Sequence, residues 1–441
     1  GSYIAYGLLG FLSNFNSVRI RILDILILAA LLFITYRFMR SYGKLTAITA
    51  GILFGLKYLQ GGPSLSLQRE YLILLFIALA LLIGIRRDSL TLKHRLSLGI
   101  LFGLAAIIKP HAALGLLPFL LFDLADLRQR PGISMLLLAK QSLLPMAAGF
   151  LIPVLLVTIG LALTGALTSF LGIAINYWPL YSQINGLMEI TPSAERMSYL
   201  LNQVWRLGGS GLWLIPAGFG IFLNRNRQTY LLASLALYYA IYPALSGQFF
   251  FYHYIPFVYL IILVASLSIS MINFRPAALN LLSSFILLTV ILLDIRPSQT
   301  FIRQLEGRQI ATSSDRAVEI KQFLEKNLEA GDTVQPLDWT SGTLLAMLET
   351  RASIATPYVF DFYFYHHVSN PYILSLRVDF MNKLQKSSPR FIVEVTAIDK
   401  PWISGGDTSR EFPELRAFLN EYYSATIQKD DYTIYERDGI Q

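Results

Sequence analysis

Long apolar blocks recur along this sequence as far as residue 294 and then stop. Most blocks are about 15 to 25 residues long, and several are shorter than the ~20 residues that a helix needs to cross the hydrocarbon core of a bilayer alone. We therefore predict an α-helical polytopic membrane bundle of about ten transmembrane helices. The predicted helices cover residues 19–36, 45–60, 70–86, 97–108, 110–124, 139–163, 210–223, 229–245, 254–272 and 276–294.

The composition divides the chain into two parts. Hydrophobic residues make up 54% of the chain and charged residues only 15%, with a mean hydropathy of +0.52. These values lie outside the range of soluble globular domains, so water is not the solvent for most of this chain. After Arg296 the composition becomes that of a soluble protein. We predict a transmembrane domain at residues 1–295 and a soluble domain at residues 296–441.

The soluble part alternates helix-like and strand-like segments. Amphipathic or capped helices are predicted at Ser314–Leu328, Pro371–Leu384 and Pro413–Tyr422. Strands are predicted at Thr333–Leu337 and Phe391–Val395. This alternation predicts a small α/β domain.

The basic residues predict an orientation. Arg37, Arg40 and Lys44 fall in one loop, and further loops on the same side carry Arg86, Arg87, Lys93, Arg95, Arg128, Arg130, Lys140, Arg225, Arg227 and Arg275. Loops rich in Lys and Arg face the cytoplasm. The chain is thus predicted to be a multi-pass protein of the plasma (inner) membrane. Its outer face receives residues 1–18, 61–69, 109–111, 164–209 and 246–253 and the C-terminal domain, which is therefore extracytoplasmic.

Several function classes have no support in the sequence. The net charge of +8 comes from these membrane-flanking loops, so membrane lipid is the expected partner and nucleic acid is not. Cysteine is absent, which removes disulfides and thiolate metal sites. Walker, Gly-x-Ser-x-Gly and His-Glu-x-x-His motifs are also absent from the sequence.

Arg69 and Glu70 begin the third block on its outer side. A guanidinium at this level could bind a phosphate through two hydrogen bonds, with Glu70 orienting it or contacting a sugar hydroxyl. The alternative is structural, with Glu70 at the positive end of the helix dipole and Arg69 reaching the lipid headgroups. Both readings stay open at this point.

Lys109 and His111 flank a proline that interrupts the fourth and fifth blocks at the same outer level. A broken helix exposes backbone amides, and the ammonium of Lys109 lies beside the imidazole of His111. These three kinds of group together could form an anion-binding site. Alternatively, Lys109 extends outward to the membrane surface and His111 is a packing residue.

Gln248 and His253 belong to an aromatic outer loop, Ser246-Gly247-Gln248-Phe249-Phe250-Phe251-Tyr252-His253-Tyr254. Aromatic side chains with a few polar groups suit a lipid headgroup or the face of a sugar. An aromatic belt at the membrane surface is the competing explanation.

Other charged residues receive structural predictions. Asp24 lies one turn from Arg21, next to Arg19, and an intrahelical pair is the preferred reading. The segment Asp361–His367 resembles a metal motif, but adjacent histidines on an extended segment point to opposite sides, so no metal site is predicted. The sequence specifies no cofactor and leaves the need for a divalent cation open.

Three short motifs resemble the GT-C superfamily of membrane glycosyltransferases, which includes protein O-mannosyltransferases and aminoarabinose transferases. The glycine-spaced run from Arg95 to Lys109-Pro110 is similar to a helix that ends in Lys in that superfamily. Arg69-Glu70-Tyr71 resembles the second outer loop, and Phe251-Tyr252-His253-Tyr254-Ile255-Pro256 resembles the start of a late helix. The motifs are spread over most of residues 1–295.

This resemblance implies an active site at the outer membrane face and a polyprenyl-phosphate sugar as donor, with a glycan, lipid or protein as acceptor. Lys109 and Arg69 would contact the lipid phosphate, whose negative charge grows as the glycosidic bond breaks. His111, Gln248 and His253 would line the donor or acceptor pocket.

The sequence departs from the GT-C pattern at its N-terminus. The superfamily carries an acidic residue, the catalytic base, in a first outer loop after a first transmembrane helix, and neither is found before Asn16. The resemblance therefore implies either a truncated chain or a divergent, inactive relative. No catalytic residue is assigned, and Glu70 is only a weak candidate for the base.

The leading hypothesis is a hexosyl or pentosyl transferase of GT-C type. A transporter or flippase of a lipid-linked saccharide and a scaffold without activity are the alternatives. We also expect the soluble domain to help choose the acceptor, through aromatic residues predicted to be exposed, namely Tyr363, Tyr365 and Tyr372.

Overall fold

The computed structural model describes residues 2–62, 65–85, 90–129, 134–270, 276–297, 302, 305–306, 313–398 and 400–439. The chain forms two compact units. The first, the membrane unit, comprises Gly1–Leu171 and Ser193–Ile302, and the second, the α/β unit, comprises Gly172–Pro192 and Arg303–Gln441.

The membrane unit is a bundle of helices. They are α1 (Ser2–Ser13), α2 (Ser17–Met39), α3 (Lys44–Gln60), α4 (Arg69–Ile85), α5 (Leu92–Ile108), α6 (Leu116–Arg128), α7 (Met135–Leu163), α8 (Leu167–Gly172), α9 (Arg196–Arg206), α10 (Leu214–Leu223), α11 (Arg227–Ser246), α12 (Ile255–Ser266) and α13 (Ala277–Asp294). Within the described residues, each predicted apolar block overlaps one of these helices, so the helical part of the prediction is confirmed.

The predicted number of membrane crossings is not confirmed. Within the described ranges, five helical segments are long and apolar enough to cross a bilayer, or six if one bent pair counts as a single crossing. They are Pro110–Arg128, Met135–Leu163, Arg227–Ser246, Phe251–Ile269 and Ala277–Asp294, with Arg196–Gly209 and Gly211–Leu223 as the bent pair. Helices α3, α4 and α5 have 17 residues each, fewer than the ~20 that cross alone.

Glycine allows α5 and α7 to touch through their backbones. A Cβ atom on Gly99 would lie 2.1 Å from the carbonyl oxygen of Met146, and one on Gly149 would lie 2.2 Å from that of Leu96. Small residues at such positions let membrane helices pack by van der Waals contact. The glycine spacing in α5 therefore has a packing role.

Ion pairs and hydrogen bonds between helices mark the two ends of this unit. The side chain of Tyr58 bonds to Asp24, and the ammonium of Lys57 lies 2.8 Å from the carboxylate of Asp294. At the opposite end, Arg95 binds Asp123 through two hydrogen bonds of 2.7 and 3.0 Å, and Arg227 binds Asp126. We call the first of these the Asp24/Asp294 end.

The α/β unit is built on a five-stranded sheet of order β2-β1-β3-β5-β4. Its elements are α14 (Ser313–Asn327), β1 (Thr333–Leu337), α15 (Gly342–Thr350), β2 (Ser353–Ile354), α16 (Pro371–Ser387), β3 (Phe391–Val395), α17 (Pro413–Tyr422), β4 (Tyr423–Gln428) and β5 (Tyr432–Arg437). Strand β1 pairs in parallel with β2 and β3, whereas β5 is antiparallel to β3 and β4.

The sequence predicted part of this unit. Both predicted strands have the predicted bounds, and all three predicted helices are there. Helix α15 and the antiparallel strands β4 and β5 were not predicted. The expectation that Tyr365 is exposed is wrong, because its ring packs against Trp402 and only 7% of the residue is exposed.

A segment between the membrane helices folds with the C-terminal residues. Residues 172–192 belong to the α/β unit, where the backbone N–H of Ile190 donates to the carbonyl oxygen of Ser404 at 3.0 Å. The hydroxyl of Tyr177 lies 3.2 Å from Nε2 of His366. The predicted outer loop 164–209 therefore contributes to this unit, while the predicted membrane boundary at residues 295 and 296 stays a prediction.

Candidate functional site

Three buried ionisable side chains meet at the Asp24/Asp294 end of the membrane unit. Glu70 is in the first turn of α4, Lys109 follows the last residue of α5, and His253 lies in the 3₁₀ turn Phe251–Tyr254 before α12. Their exposed fractions are 0%, 7% and 1%. The ammonium of Lys109 is 2.8 Å from Oε1 of Glu70 and 3.3 Å from Nε2 of His253. We call these residues the buried triad.

Proline explains why Lys109 can reach this position. Helix α5 ends at Ile108, and Pro110 begins a 3₁₀ segment, Pro110–Gly115, that precedes α6. Pro110 cannot donate a backbone hydrogen bond, and its ring keeps the preceding residue extended, at φ −142° and ψ 107°. The predicted break at residues 109–111 is confirmed.

Both ring nitrogens of His253 have close polar neighbours. Its Nδ1 atom is 2.9 Å from the backbone carbonyl oxygen of Gln248. A carbonyl only accepts, so Nδ1 carries a proton and donates it. Nε2 lies 3.3 Å from the ammonium of Lys109 and 3.5 Å from Oε1 of Glu70. His253 therefore links the loop at Gln248 to the ion pair of Glu70 and Lys109.

Arg69 and two further polar groups surround the buried triad. Arg69 is half-buried and lies within electrostatic range of Glu70, Lys109 and His253. The buried atoms that have no hydrogen-bond partner among the described residues include Oε2 of Glu70, Nδ1 of His111 and the hydroxyl oxygen of Tyr242. The rings of His111 and Tyr242 are 6.4 Å apart, and Tyr242 is within electrostatic range of Glu70. Tyr242 was not among the predicted residues.

The structure thus places the predicted residues as follows. Arg69, Glu70, Lys109, His111 and His253 come together at one end of the bundle. Gln248 is also buried, and its contact with His253 is made by the backbone carbonyl. Substrate binding by these residues stays a prediction.

Asp24 has a different environment from the predicted one. Instead of an ion pair with the exposed Arg21, its two carboxylate oxygens accept hydrogen bonds from Tyr58 at 2.7 Å and Ser66 at 2.5 Å. The hydroxyl of Tyr58 also accepts from the backbone N–H of Leu67, a residue held at φ +53°. Asp24 therefore fixes the turn that leads into Arg69 and Glu70.

Asp294 anchors the last helix of the bundle at the same end. Its Oδ2 atom lies 2.8 Å from the ammonium of Lys57 and accepts a 2.6 Å hydrogen bond from the indole N–H of Trp213. The backbone carbonyl of Asp294 accepts from Gln60. The sequence gives no signal for this pairing, because Lys57 and Gln60 belong to α3 and Trp213 to the 3₁₀ turn before α10, both distant from Asp294 in sequence.

The α/β unit contains its own buried ion pair. Lys400 donates to Oδ2 of Asp361 at 2.5 Å and to the terminal carbonyls of β1 and β3, at Leu337 and Val395. Burial raises the pKa of Asp361 to about 6, although Lys400 opposes the rise. The carboxylate that began the suspected metal segment is therefore part of a structural pair.

The two histidines of that segment contact residues 172–192. His366 lies against Tyr177, and Nε2 of His367 is 3.1 Å from the carbonyl oxygen of Leu180. Burial lowers the pKa of His366 to about 3, and the neighbouring His367 lowers it further. No group of three or more metal-ligating side chains occurs among the residues that the structure describes.

No protein-family model and no curated protein sequence matches this chain. Solved structures do resemble it. Crystalline ArnT from Cupriavidus metallidurans, bound to undecaprenyl phosphate, aligns with 97% of this chain and 85% of its own, with a TM-score of 0.54 and 11% sequence identity. ArnT is an aminoarabinose transferase of GT-C type.

Two oligosaccharyltransferase structures from Archaeoglobus fulgidus are more distant. AglB in complex with an inhibitory peptide and a dolichol-phosphate has a TM-score of 0.41 and 12% identity, and an apo form has 0.40 and 14%. This chain spans 57% of the length of each. The likeness to ArnT confirms the predicted resemblance to GT-C proteins at the level of the fold.

Proposed function

We propose that this chain transfers a sugar from a polyprenyl-phosphate donor to an acceptor at the outer membrane face. The observation that carries the proposal is the convergence of Arg69, Glu70, Lys109 and His253 at one end of the bundle. These residues come from three segments that are distant in sequence, and the bundle has the fold of a protein that binds undecaprenyl phosphate.

The proposed donor site consists of Arg69, Lys109, His111, Gln248 and His253. Breaking the bond between the sugar and the phosphate leaves negative charge on the phosphate, and cations held in a site of low dielectric stabilise that charge. Arg69 and Lys109 are the cations of the proposed donor site, and Glu70 is the acid beside them. We assign no general base.

The proposal includes a location. The Lys- and Arg-rich loops would face the cytoplasm, and the buried triad would then lie at the outer level of a plasma membrane that the chain crosses about ten times. The α/β unit would be extracytoplasmic and would help select a glycan, lipid or protein acceptor. The half-buried Tyr363 and Tyr372 are its candidate contact residues.

Radiolabel transfer tests the proposal. Membranes that contain the full chain are incubated with polyprenyl-phosphate donors that carry labelled sugars, and label in lipid, glycan and protein fractions is counted. We expect transfer from at least one donor, lowered about 100-fold by Arg69→Gln or His253→Asn because both residues belong to the proposed donor site. The matched control is Lys57→Gln, which removes a cation at the same end but outside this site.

Two outcomes oppose the proposal. If the chain moves a labelled lipid-linked sugar across the bilayer of proteoliposomes and transfers no sugar to an acceptor, the flippase alternative is correct. A folded chain that neither transfers nor moves any donor of a broad panel would leave the scaffold alternative.

A further inference from the structure

Helix α9 turns apolar side chains away from the rest of the membrane unit. Met197, Leu201 and Trp205 are spaced four residues apart, so they share one face of the helix. Their exposed fractions are 66%, 65% and 87%. Water is an unfavourable neighbour for a row of large apolar side chains, and such exposed surfaces mark sites of interaction. We call these three residues the α9 stripe.

A polar edge runs beside the α9 stripe. Ser198, Asn202 and Arg206 each follow a residue of the stripe by one position, and all three are exposed. Consecutive residues of a helix are separated by about 100° around its axis. The exposed side of α9 is therefore divided lengthwise into an apolar half and a polar half. This division is typical of a helix that lies at the boundary between lipid and water.

The remaining side of α9 packs against the loop that precedes α12. The hydroxyl of Tyr254 donates to the backbone carbonyl oxygen of Gln203 at 3.1 Å. The ring of Tyr199 contacts the ring of Phe249 edge to face, with 5.7 Å between their centroids. Phe249 and Tyr254 flank the segment that carries His253 of the buried triad. The position of α9 is thus connected to the position of that loop.

The direction of α10 gives the direction of α9. Helix α10 starts beside Trp213, whose indole donates to Asp294 at the Asp24/Asp294 end. It ends shortly before α11, which begins with Arg227 at the opposite end. The segments Arg196–Gly209 and Gly211–Leu223 meet at an angle of 70°. Because α10 runs from one end of the bundle to the other, α9 lies across the Asp24/Asp294 end, close to the plane of a bilayer.

The surroundings of α9 suit a phospholipid surface. Exposed apolar surface extends from α9 onto the start of α10, at Leu212, Leu214 and Ile215. Tryptophan is enriched where a bilayer meets water, and arginine side chains there extend toward the headgroups. Helix α9 has an arginine at each end and no acidic residue, although Glu195 precedes it. Its charge is therefore complementary to phosphate headgroups.

We infer that α9 docks on the lipid bilayer: the α9 stripe inserts among the acyl chains just below the headgroups, and the polar edge faces the water. Through the contacts of Tyr199 and Gln203, the bilayer then helps to hold the loop that carries His253. This interaction surface goes beyond the proposed function and does not depend on it.

Fluorescence quenching in proteoliposomes tests the depth of α9. The chain has no cysteine, so a bimane label on Leu201→Cys or on Asn202→Cys occupies one defined position. Each variant is the matched control of the other, because the two residues are adjacent and both are exposed. One quencher is phosphatidylcholine with a nitroxide near the headgroup end of its acyl chain, and the other is iodide on both sides of the membrane.

An interfacial helix is buried about 5–10 Å into the headgroup boundary. We therefore expect the lipid nitroxide to quench the label at position 201 at least about twofold more than the label at position 202, and iodide to give the reverse order. Iodide reaching both positions equally would place the α9 stripe in water. A label at position 201 that neither quencher reaches would mean that a protein surface covers the stripe. Either result would overturn the inference.

Hydrogen exchange in phosphatidylcholine nanodiscs tests the connection to His253. Leu201→Asp puts a charge among the acyl chains, whereas Asn202→Asp puts the same charge in water. We expect the backbone amides of residues 249–254 to exchange at least about threefold faster in the first variant and at the wild-type rate in the second. Leu201→Ser replaces the first variant if that protein does not fold. Equal exchange in the two variants would show that the lipid contact of α9 does not hold this loop.

Discussion

The pairing of Glu70 with Lys109 decides the chemistry of the site at the scale of single residues. Both groups are removed from water, and neither would be stable there alone as an ion. Their mutual attraction offsets the desolvation of each. A substitution of either partner therefore leaves the charge of the other buried and without compensation.

Lys109→Gln is expected to destabilise the protein by about 3–5 kcal/mol, since Glu70 would remain buried without its partner. Glu70→Gln/Lys109→Gln should recover most of that loss, because no charge is left unpaired. The free energy of unfolding of each variant is measured in mixed micelles, and the thermal unfolding midpoints are measured as a second comparison. Equal stability of the single and double variants would contradict the ion pair.

Because His366 is buried, we expect the stability of the α/β unit to depend on pH. Its pKa is about 3 in the folded chain and about 6.5 in the unfolded chain, so the unfolded state takes up the proton first as the pH falls. This stabilisation is complete above about pH 6.5 and is lost progressively toward pH 3. At pH 5 the loss is about 2 kcal/mol.

The contribution of His366 is measured as a difference between proteins. Asp361, whose raised pKa acts in the opposite direction over pH 4 to 6, is present in both wild type and His366→Asn and cancels. Between pH 7.5 and 5 the wild type should lose about 2 kcal/mol more than the variant, by thermal unfolding in detergent. Parallel pH profiles for the two proteins would argue against a buried neutral imidazole.

The structure brings together residues that the sequence singles out as charges against an apolar background. Arg69, Lys109, His111 and His253 are recognisable because ionisable groups are rare at membrane depth. The partners of Asp24 and Asp294 were not recognisable, since Tyr58, Ser66 and Trp213 carry no charge and lie on other segments. Tyr242 is likewise one of many tyrosines until the fold brings it near His111.

At the scale of elements, the close packing of helices α5 and α7 contributes to the stability of the membrane unit. Gly149 in α7 is in contact with the backbone of α5 at Leu96. We expect Gly149→Val to cost at least about 2 kcal/mol, because the obstructing atoms are backbone and cannot rotate away. Gly160→Val in the same helix is the matched control, since no atom lies within 4 Å of its Cβ position.

Thermal unfolding of both glycine variants checks this packing. A lowered midpoint for Gly149→Val and little change for Gly160→Val are expected. Equal effects of the two substitutions would mean that helix propensity or lipid exposure, and not the contact between α5 and α7, accounts for the loss.

Elements were predictable in proportion to the strength of their local pattern. Strands β1 and β3 are short apolar runs buried in the sheet, and they were predicted with the observed bounds. Strands β4 and β5 alternate weakly, and four of the six residues of β4 are exposed, so hydrophobicity does not mark them. Strand β5 pairs with β3, and β4 pairs with β5, so their place in the sheet is a tertiary effect.

At the scale of the whole molecule, the prediction concerns which loops face the outside of the cell and which face the cytoplasm. The absence of cysteine makes single-cysteine labelling a clean test. Leu187→Cys lies in the predicted outer loop and Gln129→Cys in a predicted cytoplasmic loop, and both side chains are exposed. A membrane-impermeant maleimide added to intact cells should label position 187 and not position 129.

Permeabilised cells provide the control for that experiment. Both positions should label once the membrane is opened, since neither side chain is buried. Labelling of position 129 in intact cells, with position 187 protected until permeabilisation, would invert the topology and remove the proposed outer site.

The division of the chain was only partly readable from the sequence. The change in composition after Arg296 indicated a second unit, but it gave no sign that residues 172–192 fold with it. That segment is apolar and aromatic, which is equally typical of a membrane-surface loop. Its true assignment depends on contacts with residues near Ser404 and His366, which are distant in sequence.

An experimental structure of the full chain with undecaprenyl phosphate tests the central claim most directly. The account predicts density for the phosphate within hydrogen-bonding distance of Arg69 or Lys109, the two cations of the proposed donor site. Phosphate density at any other end or face of the membrane unit would contradict the account.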